Sequence, residues 1–138
     1  MSFGVAVQTA IYQRLTTYAP LTAVIKGVYD SVPQPDDTGN PADFPYVTIG
    51  DDAIVEWCDD TKSGADILVT IHTWSRARGR KETKTIQGHI FDALHRYDLT
   101  VSGYHNVGID YDNEQSFLDV DGLTRHGVSV FRIIIDEV

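Results

Sequence analysis

Histidines are the first residues of this 138-residue chain to consider for chemistry, because the imidazole ring binds metals and transfers protons near neutral pH. The five histidines are His72, His89, His95, His105 and His126. None belongs to an HExxH pattern, in which two histidines one helical turn apart bind zinc beside a glutamate. We therefore expect ordinary surface or core-edge histidines, with neither a catalytic nor a metal-binding role.

One acidic segment begins like a calcium-binding loop. Asp110–Gln115 places oxygen-bearing side chains at alternate positions, as the start of such a loop requires. The segment has Gln115 at the sixth position, where the loop needs a glycine, and Asp121 where the closing bidentate glutamate belongs. The segment is therefore interpreted as a solvated turn, and no metal is expected.

The residues that usually form nucleophilic or phosphate-binding sites also lack the required surroundings. Cys58 is the single cysteine, and the adjacent Asp59 and Asp60 disfavour the reactive thiolate. No serine lies in a GxSxG elbow, and residues 79–81 do not complete a GxxxxGK[ST] phosphate loop. We expect no catalytic residue, no cofactor and no enzymatic activity.

A basic run that follows an aromatic residue is the most distinctive local feature. Residues 76–84 hold five cations and one acid, a local charge of +4, whereas the other residues together carry −13. Nucleic-acid contact, a protein interface and an ordinary exposed loop are all compatible with this run. The residues singled out for subunit or partner contacts are Trp74, Arg76, Arg78, Arg80 and Lys81.

Length and composition limit the classes of protein that remain. The chain has a mass of 15.3 kDa, 42% hydrophobic residues and a net charge of −9, which fits a single domain over residues 1–138. No apolar stretch approaches the roughly 18 residues of a membrane span, and the amino terminus does not resemble a signal peptide. The acidic excess repels nucleic acid on average, and an acidic body with one basic segment can associate with copies of itself.

Hydrophobic periodicity predicts the elements that position these residues. Apolar spacings of three and four predict helices over Phe3–Tyr18, Leu21–Lys26 and Gly79–Leu94. Apolar runs or alternation predict strands over Val28–Tyr29, Pro45–Trp57, Ile67–Ser75, Asn106–Asp112 and Thr124–Asp136, with a possible short strand over Gln115–Val120. The Cys58–Gly64 turn should make a hairpin, and the proline-rich residues 33–45 are expected to be an exposed loop. The predicted fold is α+β, a mainly antiparallel sheet of four to five strands with two helices on one face.

The order and sequence pattern of these segments resemble those of a known protein family. The residues that carry the resemblance are Pro45-Tyr46-Val47-Thr48-Ile49-Gly50, Trp57, Gly64, Ile71-His72-Thr73-Trp74-Ser75-Arg76, Gly79-Arg80-Lys81-Glu82 and Lys84. With the opening helix they cover the chain to about Leu94, and the remainder matches in general pattern. The chain resembles the tail-completion proteins of tailed bacteriophages and prophages, also called tail-terminator or head–tail joining proteins.

The resemblance implies a structural protein of the virion. It implies a cap on the tail tube that ends polymerisation and forms the head–tail joining surface as a ring, expected to be a hexamer. The implied partners are other copies of the chain, the major tail tube protein and the head connector, with DNA passing through unbound. The implied location is the head–tail junction, after assembly in the bacterial cytoplasm. A head-closure or other neck or minor tail protein and a small nucleic-acid-binding module remain alternatives.

Overall fold

The apolar spacing at the start of the chain forms helix α1. In the computed structural model, which describes residues 3–31 and 43–138, α1 spans Phe3–Thr17 and buries Val7, Ile11 and Leu15. Pro20 lies in the first turn of a four-residue helix α2, Ala19–Thr22. The predicted helix over Leu21–Lys26 is wrong in its bounds, because proline fits the first turn of a helix and here starts one.

Two long strands form the predicted hairpin. After the two-residue strand β1, Val28–Tyr29, strands β2, Tyr46–Cys58, and β3, Ser63–Ser75, pair antiparallel. The Asp59 carboxylate accepts hydrogen bonds from the backbone N–H groups of Thr61 and Lys62, which shapes the turn. A register shift between Gly50 and Asp52 marks a β-bulge in β2. Both strands extend closer to the turn than predicted, and residues 33–42 of the predicted loop lie outside the described residues.

Helix α3 spans Lys81–Leu94 and buries its apolar stripe, Ile86, Ile90, Ala93 and Leu94. The prediction placed its start at Gly79, which is wrong by two residues. Gly79 has a φ of 78°, a left-handed conformation that continues no right-handed helix. Arg14 ties α1 to α3, because its Nε donates to the carbonyl of Ala93 at 2.8 Å.

Among the described residues, the last two strands complete a five-stranded sheet. Strand β4 spans Tyr104–Leu118, strand β5 spans Arg125–Glu137, and the strand order is β1-β2-β3-β5-β4. The short strand predicted over Gln115–Val120 is correct in that Gln115 to Leu118 are strand residues, but they continue the pairing of β4 with β5 and form no separate strand. The solvated turn predicted at Asp110–Gln115 is wrong, since these residues lie within β4, where a bulge falls between Tyr111 and Asn113.

The two faces of the sheet differ in what covers them. Helices α1 and α3 contact one face, on which Ile67, Ile71, Phe131 and Ile133 are buried. The alternate residues of β3 and β5 point to the opposite face, where they are mostly half-buried or exposed, and we call this side the open face. The predicted α+β class is confirmed, with a mainly antiparallel sheet; only β1 and β2 pair in parallel among the described strands. No helix among the described residues is long and apolar enough to cross a membrane.

Candidate assembly surface

A row of aromatic rings crosses four strands at one end of the open face. Tyr46 of β2 lies opposite Trp74 of β3, Trp74 lies opposite His126 of β5, and His126 lies opposite Phe117 of β4. The rings of Trp74 and His126 stack with centroids 3.9 Å apart and planes 15° from parallel. Residues directly opposite each other in a sheet contact one another most closely, so strand register alone assembles this aromatic row.

Two histidines contact each other beside the aromatic row. His72 Nδ1 lies 2.7 Å from His126 Nε2, and His72 Nε2 lies 2.9 Å from the carboxylate of Asp51. An arrangement of neutral rings satisfies both contacts, with His72 Nε2 donating to Asp51 and His126 Nε2 donating to His72 Nδ1. Burial lowers the pKa of His126, and a charge on His72 would lower it further.

Trp74 is held by contacts within the molecule. Its Nε1 donates to the hydroxyl of Thr48 at 3.1 Å, and its half-buried ring lies between those of Tyr46 and His126. A hydrogen-bonded, stacked tryptophan keeps one orientation, which lowers the entropy lost when a partner contacts it. Trp74 is therefore a preorganised part of the open face.

Arg76 lies beside the aromatic row, because it contacts Phe44, whose ring lies 5.0 Å from that of Tyr46. Its guanidinium lies over the ring of Phe44 at 4.5 Å from the centroid, and its Nε donates to the hydroxyl of Thr124 at 3.3 Å. Asp121 accepts hydrogen bonds from Thr124 and Leu123, and these bonds, with a smaller contribution from Arg76, lower the pKa of Asp121 to about 2. Arg76 therefore joins the end of β3 to the β4–β5 turn.

The other predicted cations lie on a second surface. Arg78 and Lys81 line a groove of about 400 Å³, the basic groove, whose other lining residues are Val24, Ala77, Glu82, Thr85 and Ile86. The carboxylate of Glu82 accepts a hydrogen bond from the hydroxyl of Ser75 at 2.6 Å, so this acid is already engaged. Within residues 3–31 and 43–138, neither Arg78 nor Lys81 has an ion-pair partner.

The five residues predicted as one contact set thus divide between two surfaces. Trp74 and Arg76 belong to the aromatic row, Arg78 and Lys81 belong to the basic groove, and Arg80 is exposed immediately before α3. Their role in contacts stays a prediction.

The contact between His72 and His126 was not predicted from the sequence. Only the alternation of β3 and β5 hinted that both would face the same side of the sheet. Among the described residues, no group of three or more histidine, cysteine, aspartate or glutamate side chains is arranged to hold a metal ion.

Comparison with known proteins gives relatives of one kind. A model of the family described as tail completion protein gp17 matches residues 9–136. The tail completion protein gp17 of Bacillus phage SPP1 is 30% identical over 131 residues, which cover 95% of this chain and 92% of that protein.

Two solved structures resemble the whole chain. A chain from the virion of a native gene transfer agent particle matches with a TM-score of 0.86 and 29% identity, covering 98% of this chain and 99% of that one. The structure of bacteriophage SPP1 gp17 matches with a TM-score of 0.60 and 27% identity, covering 93% of this chain and 87% of that one.

Proposed function

The chain belongs to the family of tail completion protein gp17, and from that premise we propose that it caps the phage tail tube, ends tube polymerisation and forms the surface that joins tail to head. It acts as a ring of copies of itself, six in the virion, between the major tail tube protein and the head connector. Its mechanism is steric, because a ring that occupies the growing end of the tube leaves no site for the next tube subunit.

The observation that carries this proposal is the likeness to a chain of an assembled virion. That likeness extends over 98% of this chain at a TM-score of 0.86, and the family match extends over residues 9–136. The family is one of structural phage tail proteins and is not an enzyme family. A match along the whole length favours an architectural role, because assembly depends on the shape of the entire subunit.

The charge distribution supports a ring around DNA. The residues outside 76–84 carry a net charge of −13, and acidic surfaces let a phosphate backbone pass without binding. A ring also needs two different complementary patches on each subunit, and a basic segment on an acidic body supplies them. Neither property requires a catalytic group.

Deletion of the gene in the parent phage or prophage tests the proposal, with tail length measured by electron microscopy. A tail terminator gives overlong tubes without heads, and expression of the wild-type chain in trans restores normal length. Tails of normal length beside heads that leak DNA would instead indicate a head-closure protein and contradict tube capping. Normal particles would contradict both roles.

A further inference from the structure

In the β2–β3 hairpin, one side of strand β2 presents both acidic and apolar side chains. Residues 51–58 of β2, which we call the hairpin arm, are exposed apart from the half-buried Trp57. Asp52, Ile54 and Glu56 lie opposite Val69, Ile67 and Ala65, so they point to the face of the sheet that carries the helices. Ile54 remains 39% exposed, between two carboxylates at two-residue spacing. The arm thus presents one apolar side chain flanked by negative charge.

The basic groove has the complementary composition. Val24, 37% exposed, and the half-buried Ala77 supply the apolar surface of the groove, and the third apolar lining residue, Ile86, is fully buried. Arg78 and Lys81 add two positive charges to this lining. The groove's volume of about 400 Å³ exceeds that of one branched aliphatic side chain.

The hairpin arm and the basic groove lie at opposite ends of one strand. Ile54 is paired with Ile67, which precedes Ser75 by eight residues, or roughly 26 Å of strand. The residues of the groove begin at Ala77, just after that strand ends. Complementary patches at opposite ends of a subunit associate head to tail, and such heterologous contacts generate rings when the rotation closes.

We propose that the hairpin arm of one copy sits in the basic groove of the next copy, with Ile54 in the apolar lining and Asp52 and Glu56 facing Arg78 and Lys81. This inference rests on the proposed ring and names the two surfaces that build it. Charge complementarity identifies a second copy of this chain as the occupant, since the chain itself supplies both the acidic strand and its cationic receptor.

Pairing of sheet edges is a less suitable way to join the copies. The edge strand β4 carries two bulges, after Asn106 and after Tyr111, which interrupt the ladder of backbone groups. Its exposed acids Asp110, Asp112 and Glu114 would also meet the acids of the hairpin arm. Like charges directly opposite each other destabilise strand pairing, whereas seating the arm in the groove brings opposite charges together.

Disulfide trapping tests the contact. In a Cys58→Ser background, Ile54→Cys and Ala77→Cys on every copy should give a ladder of disulfide-linked multimers in tails that contain the protein. Positions 54 and 77 of one copy lie too far apart along β3 to form a disulfide within that copy. The matched control is Val55→Cys with Ala77→Cys, because Val55 lies on the opposite side of the strand. We expect at least tenfold more multimer from the Ile54 pair than from the control. Equal yields, or a disulfide that links the Ala77→Cys position to another tail protein, would overturn the proposal.

Charge exchange provides a second measurement on the same disulfide pair. Asp52→Lys with Glu56→Lys, or Arg78→Glu with Lys81→Glu, should lower the multimer yield about tenfold, and the four changes together should restore it. Asp60→Lys with Lys84→Glu reverses the same kinds of charge outside the arm and groove and should leave the yield unchanged. If the variant with all four changes gives no more multimer than either two-residue variant, the assigned contact is contradicted.

These results separate the inference from the proposed function. A disulfide ladder in particles whose tail length does not depend on the gene would support the contact and contradict tube capping. Overlong tails after gene deletion, without a ladder above the control, would support capping and overturn the contact.

Discussion

His72 and His126 lie on neighbouring strands with Nδ1 of the first 2.7 Å from Nε2 of the second. One nitrogen must donate and the other accept, so the contact cannot persist when both facing nitrogens carry protons. The groups around the pair are Asp51, Asp119, Trp74 and Phe117. The pair therefore makes this end of the open face sensitive to pH.

The first prediction concerns stability against pH. Burial, followed by the charge of His72, lowers the pKa of His126 below its usual 6.5, although Asp119 and Asp51 partly oppose this. The unfolded chain therefore binds this proton at a higher pH than the folded chain does. The contribution of neutral His126 to the free energy of unfolding is therefore fully present above pH 6.5. It is lost as the pH falls through the lowered pKa of the folded chain.

Urea unfolding between pH 7.5 and 5.5 measures this effect. His126→Phe retains an aromatic ring against Trp74 but cannot be protonated, so it should lose less stability over this interval than the wild type. His89→Gln, on α3 outside the pair, should follow the wild-type curve. Identical pH dependence for His126→Phe and wild type would show that protonation of His126 does not cause the loss of stability.

The second prediction concerns Gly64, which lies on β3 opposite Trp57, next to the β2–β3 turn. A Cβ on Gly64 would lie 2.2 Å from the ring of Trp57 and 2.6 Å from the carbonyl of Ile135. Gly64→Ala should therefore lower the free energy of unfolding by about 1–3 kcal/mol. Gly108→Ala is the matched control, because nothing lies within 4 Å of its Cβ position. Chemical denaturation checks both, and an equal effect of the two changes would contradict the packing described.

The third prediction separates the roles of two predicted contact residues. Arg76→Glu loses the contact with Phe44 and places a negative charge beside Asp121, so it should destabilise the isolated chain by about 1 kcal/mol. Arg78→Glu should change stability by less than about 0.5 kcal/mol, because Arg78 has no ion-pair partner within the described residues.

The Arg78→Glu variant also tests the role of this residue in assembly. Arg78→Glu should nonetheless impair tail completion in a complementation assay, which scores tail length and head attachment. If Arg78→Glu completes tails as the wild type does, its assignment to an interface is wrong.

Local pattern was sufficient to predict most of the fold. The apolar spacing of α1, the stripe of α3 and the Asp-rich turn between β2 and β3 each arise from neighbouring residues, and the structure confirms them. The sequence predicted two strands where β4 is one, because Asn113 and Glu114, which join them, are polar and give no strand pattern. Their pairing with Val130 and Ser129 of β5 keeps them in the sheet.

The candidate surfaces could be predicted only in part. The basic run was visible as a cluster in sequence, yet Arg76 lies on the open face near Trp74, whereas Arg78 and Lys81 line the basic groove with Val24 and residues of α3. The His72–His126 pair depends on the register between β3 and β5, strands that residues 76–124 separate along the chain. Register between strands so far apart is a product of the tertiary fold, and no local spacing reports it.

Arrest of tube growth in vitro tests the central claim most directly. Purified chain is added to polymerising tail tube protein, and the tube length distribution is measured by electron microscopy. We predict that tubes stop at shorter lengths as the concentration of the chain rises, with the added density at one end only. Tubes that reach the same lengths with and without the chain, and carry no density at either end, would contradict its role as a tail cap.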